Sequence, residues 1–276
     1  MRIGFITDEI SSNVEEAIAL GAAWGVRDFE LRMITGARVP RISGDEVEQL
    51  LRLQQRHGLR FTALSPGVFK GAIHEHARLE HELQETLPQT YQLARLLRTP
   101  TIIVFGFKRD LPAMDAKRGN ERHAREEEKI LEALRRAAKS AEQYGLTLAV
   151  ENEPGFWCDT GSNTARILAQ VNASNLRANW DPGNAMGESE EPYPHGYEAL
   201  KQWIGNVHVK DTSKGALVEC VPLGEGKVDW PGQLQALARD QIVAHVTIET
   251  HCAPLRENSK RNLEYVRRVL SASDKK

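Results

Sequence analysis

Three carboxylates and one imidazole stand out in this 276-residue chain for what they could do together: Glu151 in LAVENEP, Asp181 in RANWDPGN, His208 in NVHVKD and Glu249 in VTIETHC. They follow one another at intervals of 30, 27 and 41 residues. Three carboxylates gathered at one point repel unless protons or a cation neutralise them. Oxygen donors joined by one imidazole suit a divalent ion, with Mn²⁺ favoured and Mg²⁺, Co²⁺ or Zn²⁺ as alternatives, because ligand type alone rarely selects the metal.

Each of the four sits at the end of a short run that reads as a buried strand, and such runs alternate with longer segments of helical period through the whole chain. The strand candidates are 2–7, 27–32, 59–64, 101–106, 146–151, 176–181, 206–210 and 245–249. Between them, 126–144 carries Ile130, Leu131, Leu134, Ala137, Ala138, Ala141 and Tyr144 on one face, and Gly145 stops it. Asp229 is placed to cap a helix opened by Trp230 and Pro231. Pro88 should kink or split the helical segment 73–98. Eight β/α units without a linker predict an α/β fold, a single (β/α)8 TIM barrel spanning 1–276 as one domain. A dinucleotide fold is disfavoured, since no G-x-G-x-x-G joins a strand to a helix. In such a barrel the working residues lie at the C-terminal strand ends, which is where the intervals put the four ligand types.

Neighbours of the four extend the set. Lys210 stands two residues after His208 and should share its side of the strand, where it can neutralise a developing oxyanion. His251 and Glu153 stand two residues beyond Glu249 and Glu151; the first could orient substrate, the second could meet substrate or back up a ligand. Glu30 and Asp8, near the ends of strands two and one, face the mouth if the register is right and could hydrogen-bond substrate hydroxyls, with a helix-capping or salt-bridge role equally open. Phe156 and Trp157 read as loop packing, with an apolar lid as the alternative. The Gly224–Gly226 turn lies where barrels often bind phosphate, but Glu225 would repel one. Rim segments 69–76, 107–120 and 188–195 are where substrate choice should reside.

The composition narrows the field. Lys plus Arg number 36 against 38 Asp plus Glu, a net charge of −2 that gives no general field for nucleic acid. Cys158, Cys220 and Cys252 are far apart and form no C-x-x-C pair, so no disulfide framework or cysteine zinc site is expected. With no long apolar run, neither a membrane span nor a secretory leader is read, and a cytoplasmic location is expected. Whether copies associate as a homo-oligomer is left open.

The motifs VEN (150–152), WDPGN (180–184), HVKD (208–211), GEG-x-VDW (224–230) and IET (248–250) resemble the sugar phosphate isomerase/epimerase superfamily of xylose isomerase-like barrels, over essentially the whole chain. The resemblance implies that Glu151, Asp181, His208 and Glu249 bind the metal. It also implies that Glu151 and Glu249 are catalytic, exchanging protons with a small sugar, polyol or keto-acid substrate; Asn184, in WDPGN, joins the candidate substrate contacts. The implied activity is a metal-dependent isomerase or epimerase, with a dehydratase of the inosose or dehydroshikimate type as the alternative. A DNA-repair endonuclease on this barrel would need more metal ligands than the chain carries, since strands three and four end near Ser65 and Gly106 and Asn206 replaces an aspartate. A sugar-binding protein without turnover is the remaining reading.

Overall fold

A computed structural model describes residues 1–109, 122–213 and 219–272 in full, and 116–121 and 273 by backbone alone. Eight parallel strands close into a barrel: β1 (Arg2–Ile6), β2 (Asp28–Leu31), β3 (Arg60–Leu64), β4 (Thr101–Phe105), β5 (Thr147–Glu151), β6 (Leu176–Trp180), β7 (Ile204–Val209) and β8 (His245–Ile248). Each pairs with its sequence neighbours, and β8 closes on β1 through the register Arg2 to His245 and Phe5 to Ile248. The strands are short and almost fully buried, as expected for a parallel sheet covered by helices.

The principal helices are α1 (Val14–Ala23), α2 (Gly44–His57), α3 (Leu87–Leu97), α4 (Ala116–Glu142), α5 (Gly161–Val171), α6 (Tyr197–Leu200), α7 (Trp230–Asp240) and α8 (Leu255–Ser273). Their boundaries follow local chemistry. Ser43 and Glu46 form a reciprocal capping box at the start of α2, and Gly58 ends it in the left-handed conformation. Asp229 caps α7 as the sequence suggests, its side chain accepting from the Gly232 amide. The segment before α3 runs as a short helix (His76–His81) and a π turn (Glu82–Thr86), with Pro88 in the first turn of α3. The wide turn absorbs the proline's missing donor, so the predicted interruption falls just ahead of Pro88. Helix α4 begins ten residues before the expected start, yet Ile130, Leu131, Leu134, Ala137, Ala138 and Ala141 face the core as read.

At the N-terminal floor, Asp28 is clamped by Arg2 (2.7 Å) and Arg60 (2.5 Å). At the opposite rim lie two small hairpins, Met33–Ile34 with Ala37–Arg38 after β2, and Asp211–Thr212 with Cys220–Val221 after β7. Residues 110–115, part of the 107–120 stretch expected to select substrate, lie outside the described residues.

Candidate metal centre

The barrel interior beneath the rim is polar where an ordinary barrel would stack aliphatic side chains. Glu30 on β2 is 1 % exposed and accepts hydrogen bonds from Asn206 Nδ2 (2.8 Å) and Thr247 Oγ1 (2.6 Å), while its other oxygen lies 2.8 Å from His208 Nε2. This corrects the expectation that Glu30 faces the mouth: the alternation of β2 turns it inward, one layer below. Its partner is the histidine rather than a substrate hydroxyl. The contact fixes the ring so that Nδ1 points to the rim. Asn179 Nδ2 lies 3.2 and 3.4 Å from the two ring nitrogens. An atom on the Nδ1 lone-pair axis would be much farther from Nε2, so that lone pair is not taken by Asn179.

Above this layer the four sequence candidates converge. One donor atom each from Glu151, Asp181, His208 and Glu249 lies within 4.8 Å of the others, and all four residues are buried. His208 Nδ1 is equidistant from the two glutamates, 3.6 Å from Glu151 Oε1 and 3.6 Å from Glu249 Oε2. Glu151 closes β5, whereas Asp181 and Glu249 lie one residue beyond β6 and β8. Asp181 is pinned by capping the single-turn helix Pro182–Ala185, accepting from Asn184 N at 3.0 Å through Oδ1. Asn152 locks its backbone from both sides, accepting from Asp181 N and donating to Asp181 O, each at 2.8 Å.

Lys210 lies on the side of the strand anticipated for it. Its Nζ is 2.8 Å from Asp181 Oδ2 and 3.0 Å from Glu249 Oε2, and it is 3 % exposed. Asp181 Oδ2 is buried without a hydrogen bond in good geometry, as is Asn184 Oδ1. A buried carboxylate oxygen aimed into a cluster of three acids and one free imidazole nitrogen fits a divalent cation, whose oxygen-plus-imidazole ligands these would be.

The electrostatics are dominated by the packing of charge. Burial would raise Glu249, but Lys210, His208 and His251 outweigh it and hold that carboxyl well below the ordinary range. Burial and the neighbouring acids push Asp181 up, against the pull of Lys210. For His208, desolvation is overcome by Glu30 and Glu151, which raise it well above the usual imidazole value. Glu153 lines the cavity and is pushed up to about 7 by burial and then by Glu151. Its nearest cation is Lys70, 3.7 Å away.

The rest of the rim was only partly foreseen. Asn184 donates to the Asn152 carbonyl (2.9 Å) and approaches Glu151 Oε1 (3.4 Å), so it braces two site loops. His251 sits in the left-handed region at φ 51, with Nδ1 2.8 Å from Glu9 Oε1 and 3.5 Å from Glu249 Oε1. Arg32, unremarked in the sequence, binds Asp8 (2.9 Å through Nε), Glu249 Oε1 (2.8 Å) and Glu9. Its position two residues after Glu30 was the available signal, since alternate residues share a face. Asp8 thus takes the salt-bridge role that was the alternative to a hydroxyl contact. Trp157 is 2 % exposed and Phe156 8 %, which makes them packing, not a lid. The Gly224–Gly226 loop is no phosphate cradle: the amides of Gly224, Gly226 and Val228 all donate to the Asp211 carboxylate, at 2.9, 3.2 and 3.2 Å.

A model of the xylose isomerase-like TIM barrel family matches residues 18–269, and the chain belongs to that family. No match is found among curated proteins. Among solved structures, the chain is similar to a D-tagatose 3-epimerase-like protein (16 % identity, 100 % of this chain and 99 % of that one, TM-score 0.82). It is also similar to the IOLI protein with a bound zinc atom (18 %, 99 % and 99 %, TM-score 0.79). A third is the probable 3-DHS dehydratase AsbF of Bacillus anthracis (17 %, 97 % and 99 %, TM-score 0.76). At these identities the likeness is one of fold.

If Glu30 sets the orientation and basicity of His208, Glu30→Gln should weaken Mn²⁺ binding by roughly 10- to 100-fold at unchanged stoichiometry. Calorimetric titration of the metal-free protein measures this, and an unaltered affinity would show that His208 needs no such support.

Proposed function

We propose that the protein is a divalent-metal-dependent isomerase or epimerase that moves a proton at the carbon next to a carbonyl in a small polyhydroxy substrate. The observation that carries the reading is the convergence of Glu151, Asp181, His208 and Glu249 within 4.8 Å at the C-terminal ends of four consecutive strands. Glu151, Asp181, His208 and Glu249 would hold the ion. When bound, a divalent cation polarises the carbonyl and an adjacent hydroxyl and acidifies the C–H between them, so that even a weakly basic carboxylate suffices as base.

Glu249 takes the proton. Arg32 and Lys210 hold its two oxygens, and its ionised form is the one the site maintains. Glu151, also 3.6 Å from His208 Nδ1, is the second carboxylate and in its protonated form would return a proton to the neighbouring carbon in an isomerase or to the opposite face in an epimerase. Lys210 is the buried cation nearest the developing negative charge.

A dehydratase would share the first step and then expel a hydroxyl, for which His251 is the available acid: Glu9 and Glu249 raise its imidazole above the usual value against the effect of burial. Incubating the Mn²⁺-loaded protein with a panel of ketoses and keto acids in D2O separates these outcomes. Deuterium at the carbon beside the carbonyl with retained hydroxyls is the expected result; loss of water marks the dehydratase. Neither exchange nor elimination across the panel, with metal bound, would leave a binding protein.

A further inference from the structure

The cavity above the metal cluster is lined by Arg32, Arg38, Ser65, Lys70, Phe105, Glu151, Glu153, Lys210, Glu249 and His251, among others. The cations in this lining differ in one respect. Arg32 is neutralised by Asp8, Glu9 and Glu249. Lys210 is held by Asp181 and Glu249, and His251 by Glu9. Lys70 lies 3.7 Å from Glu153 and 4.0 Å above the Phe105 ring. Arg38 alone has no carboxylate partner among the described residues.

Arg38 is nonetheless held in place. It ends the hairpin strand Ala37–Arg38, is half-buried, and its Nε donates to the Ser65 carbonyl at 3.0 Å. The guanidinium rests on Gly67, where an added Cβ would come within 2.9 Å of Nη1 and 3.2 Å of Cζ. Gly67 also has φ +76, a conformation in which glycine is at ease and other residues are strained. Two features of one loop, a carbonyl acceptor and a bare Cα, therefore seat a single guanidinium at the mouth.

With Nε spent on Ser65, the donors that remain are those of the two terminal nitrogens. Burial and then Arg32 disfavour the charge on Arg38 and outweigh the support of Glu151, Asp8 and Glu249, none of which contacts it, so an anion in direct contact would stabilise it. One positive charge without a contacting carboxylate matches a monoanion, and a guanidinium edge matches the planar pair of oxygens of a carboxylate.

We infer that Arg38, seated on Ser65 and Gly67, binds a carboxylate on the substrate, so that the substrate is a sugar acid or polyhydroxy keto acid rather than a neutral ketose. This deepens the reading above and rests on it for the placement of the carbonyl near the cluster. Arg38 is then a specificity-determining residue, not a group that moves protons.

Calorimetric titration of the Mn²⁺-loaded protein with D-fructose, 2-keto-D-gluconate, D-fructuronate and D-fructose 6-phosphate tests it. At least one of the two keto acids should bind about tenfold or more tightly than fructose, the size expected for one charge-assisted contact. Arg38→Met should abolish that preference while leaving Mn²⁺ stoichiometry unchanged, and Arg38→Lys should restore part of it. Gly67→Ala, which pushes the guanidinium off its seat, should cut the preference without removing a charge. Equal affinities for acids and fructose, no measurable binding of either acid, tighter binding of the phosphate ester than of both acids, or an undiminished preference in Arg38→Met would each overturn the inference. Mn²⁺ stoichiometry, read in the same titrations, keeps a failure of the metal reading distinct from a failure of this one.

Discussion

Glu249→Gln is expected to lower solvent deuterium exchange into substrate by roughly 10²- to 10⁴-fold at saturating Mn²⁺, the range a positioned general base contributes. The substitution keeps the side-chain volume and one ligating oxygen, so the fold should be retained. Lys210 keeps a partner in Asp181, 2.8 Å away, and Arg32 keeps Asp8 and Glu9. What disappears is the carboxylate that both charges hold ionised. Some loss of metal affinity is expected as well, which is why the rate is compared at saturation with bound metal quantified in the same samples. Exchange at the unsubstituted rate would remove Glu249 from the role of base and leave it a ligand only.

The second large effect should follow His208→Ala. Stoichiometric binding of Mn²⁺, Co²⁺ and Zn²⁺ should be lost, because the one nitrogen donor in the cluster of four is gone. Stability should fall with it. Glu30, 1 % exposed, would keep only the neutral donors Asn206 and Thr247, and stranding one member of a buried charged pair costs about 3–5 kcal/mol. Denaturant unfolding of the metal-free proteins measures this part. A companion Glu30→Gln/His208→Ala variant should recover most of the stability and none of the metal binding, since the stranded charge is removed but not the missing ligand. Equal destabilisation of single and double variants would show that the two side chains do not act as a pair.

Much of this was readable in the chain before any coordinates, and the reason is periodic. A closed parallel barrel repeats one strand and one helix, each strand must be buried on both faces, and functional groups can only be hung from its ends. That regularity made Glu151, Asp181, His208 and Glu249 legible as a set, and gave Lys210 its correct side. It failed where side chains answer to partners far away in sequence. Glu30 looked like a rim residue because it lies near the end of a strand, yet the alternation of β2 turns it into the barrel interior, where it meets His208, 178 residues away. Glu9 was unreadable and Arg32 carried only its alternation with Glu30 as a signal, because their partners Glu249 and His251 are more than 200 residues distant. Arg38 sits on a two-residue hairpin with no strong pattern of its own, and its seat is made by another loop.

The closure of β8 onto β1 gives the site a temporal property. Glu249 and His251 are synthesised more than 200 residues after their partners Arg32 and Glu9. Three of the four cluster residues precede β8 in the chain, but the ring of carboxylates around Arg32 and the fourth member of the cluster exist only when β8 docks. A nascent or truncated chain ending before His245 therefore carries Arg32, Lys210 and the buried acids only partly neutralised. The four-residue cluster is consequently completed late in biogenesis, only once β8 has been made and the cylinder has shut.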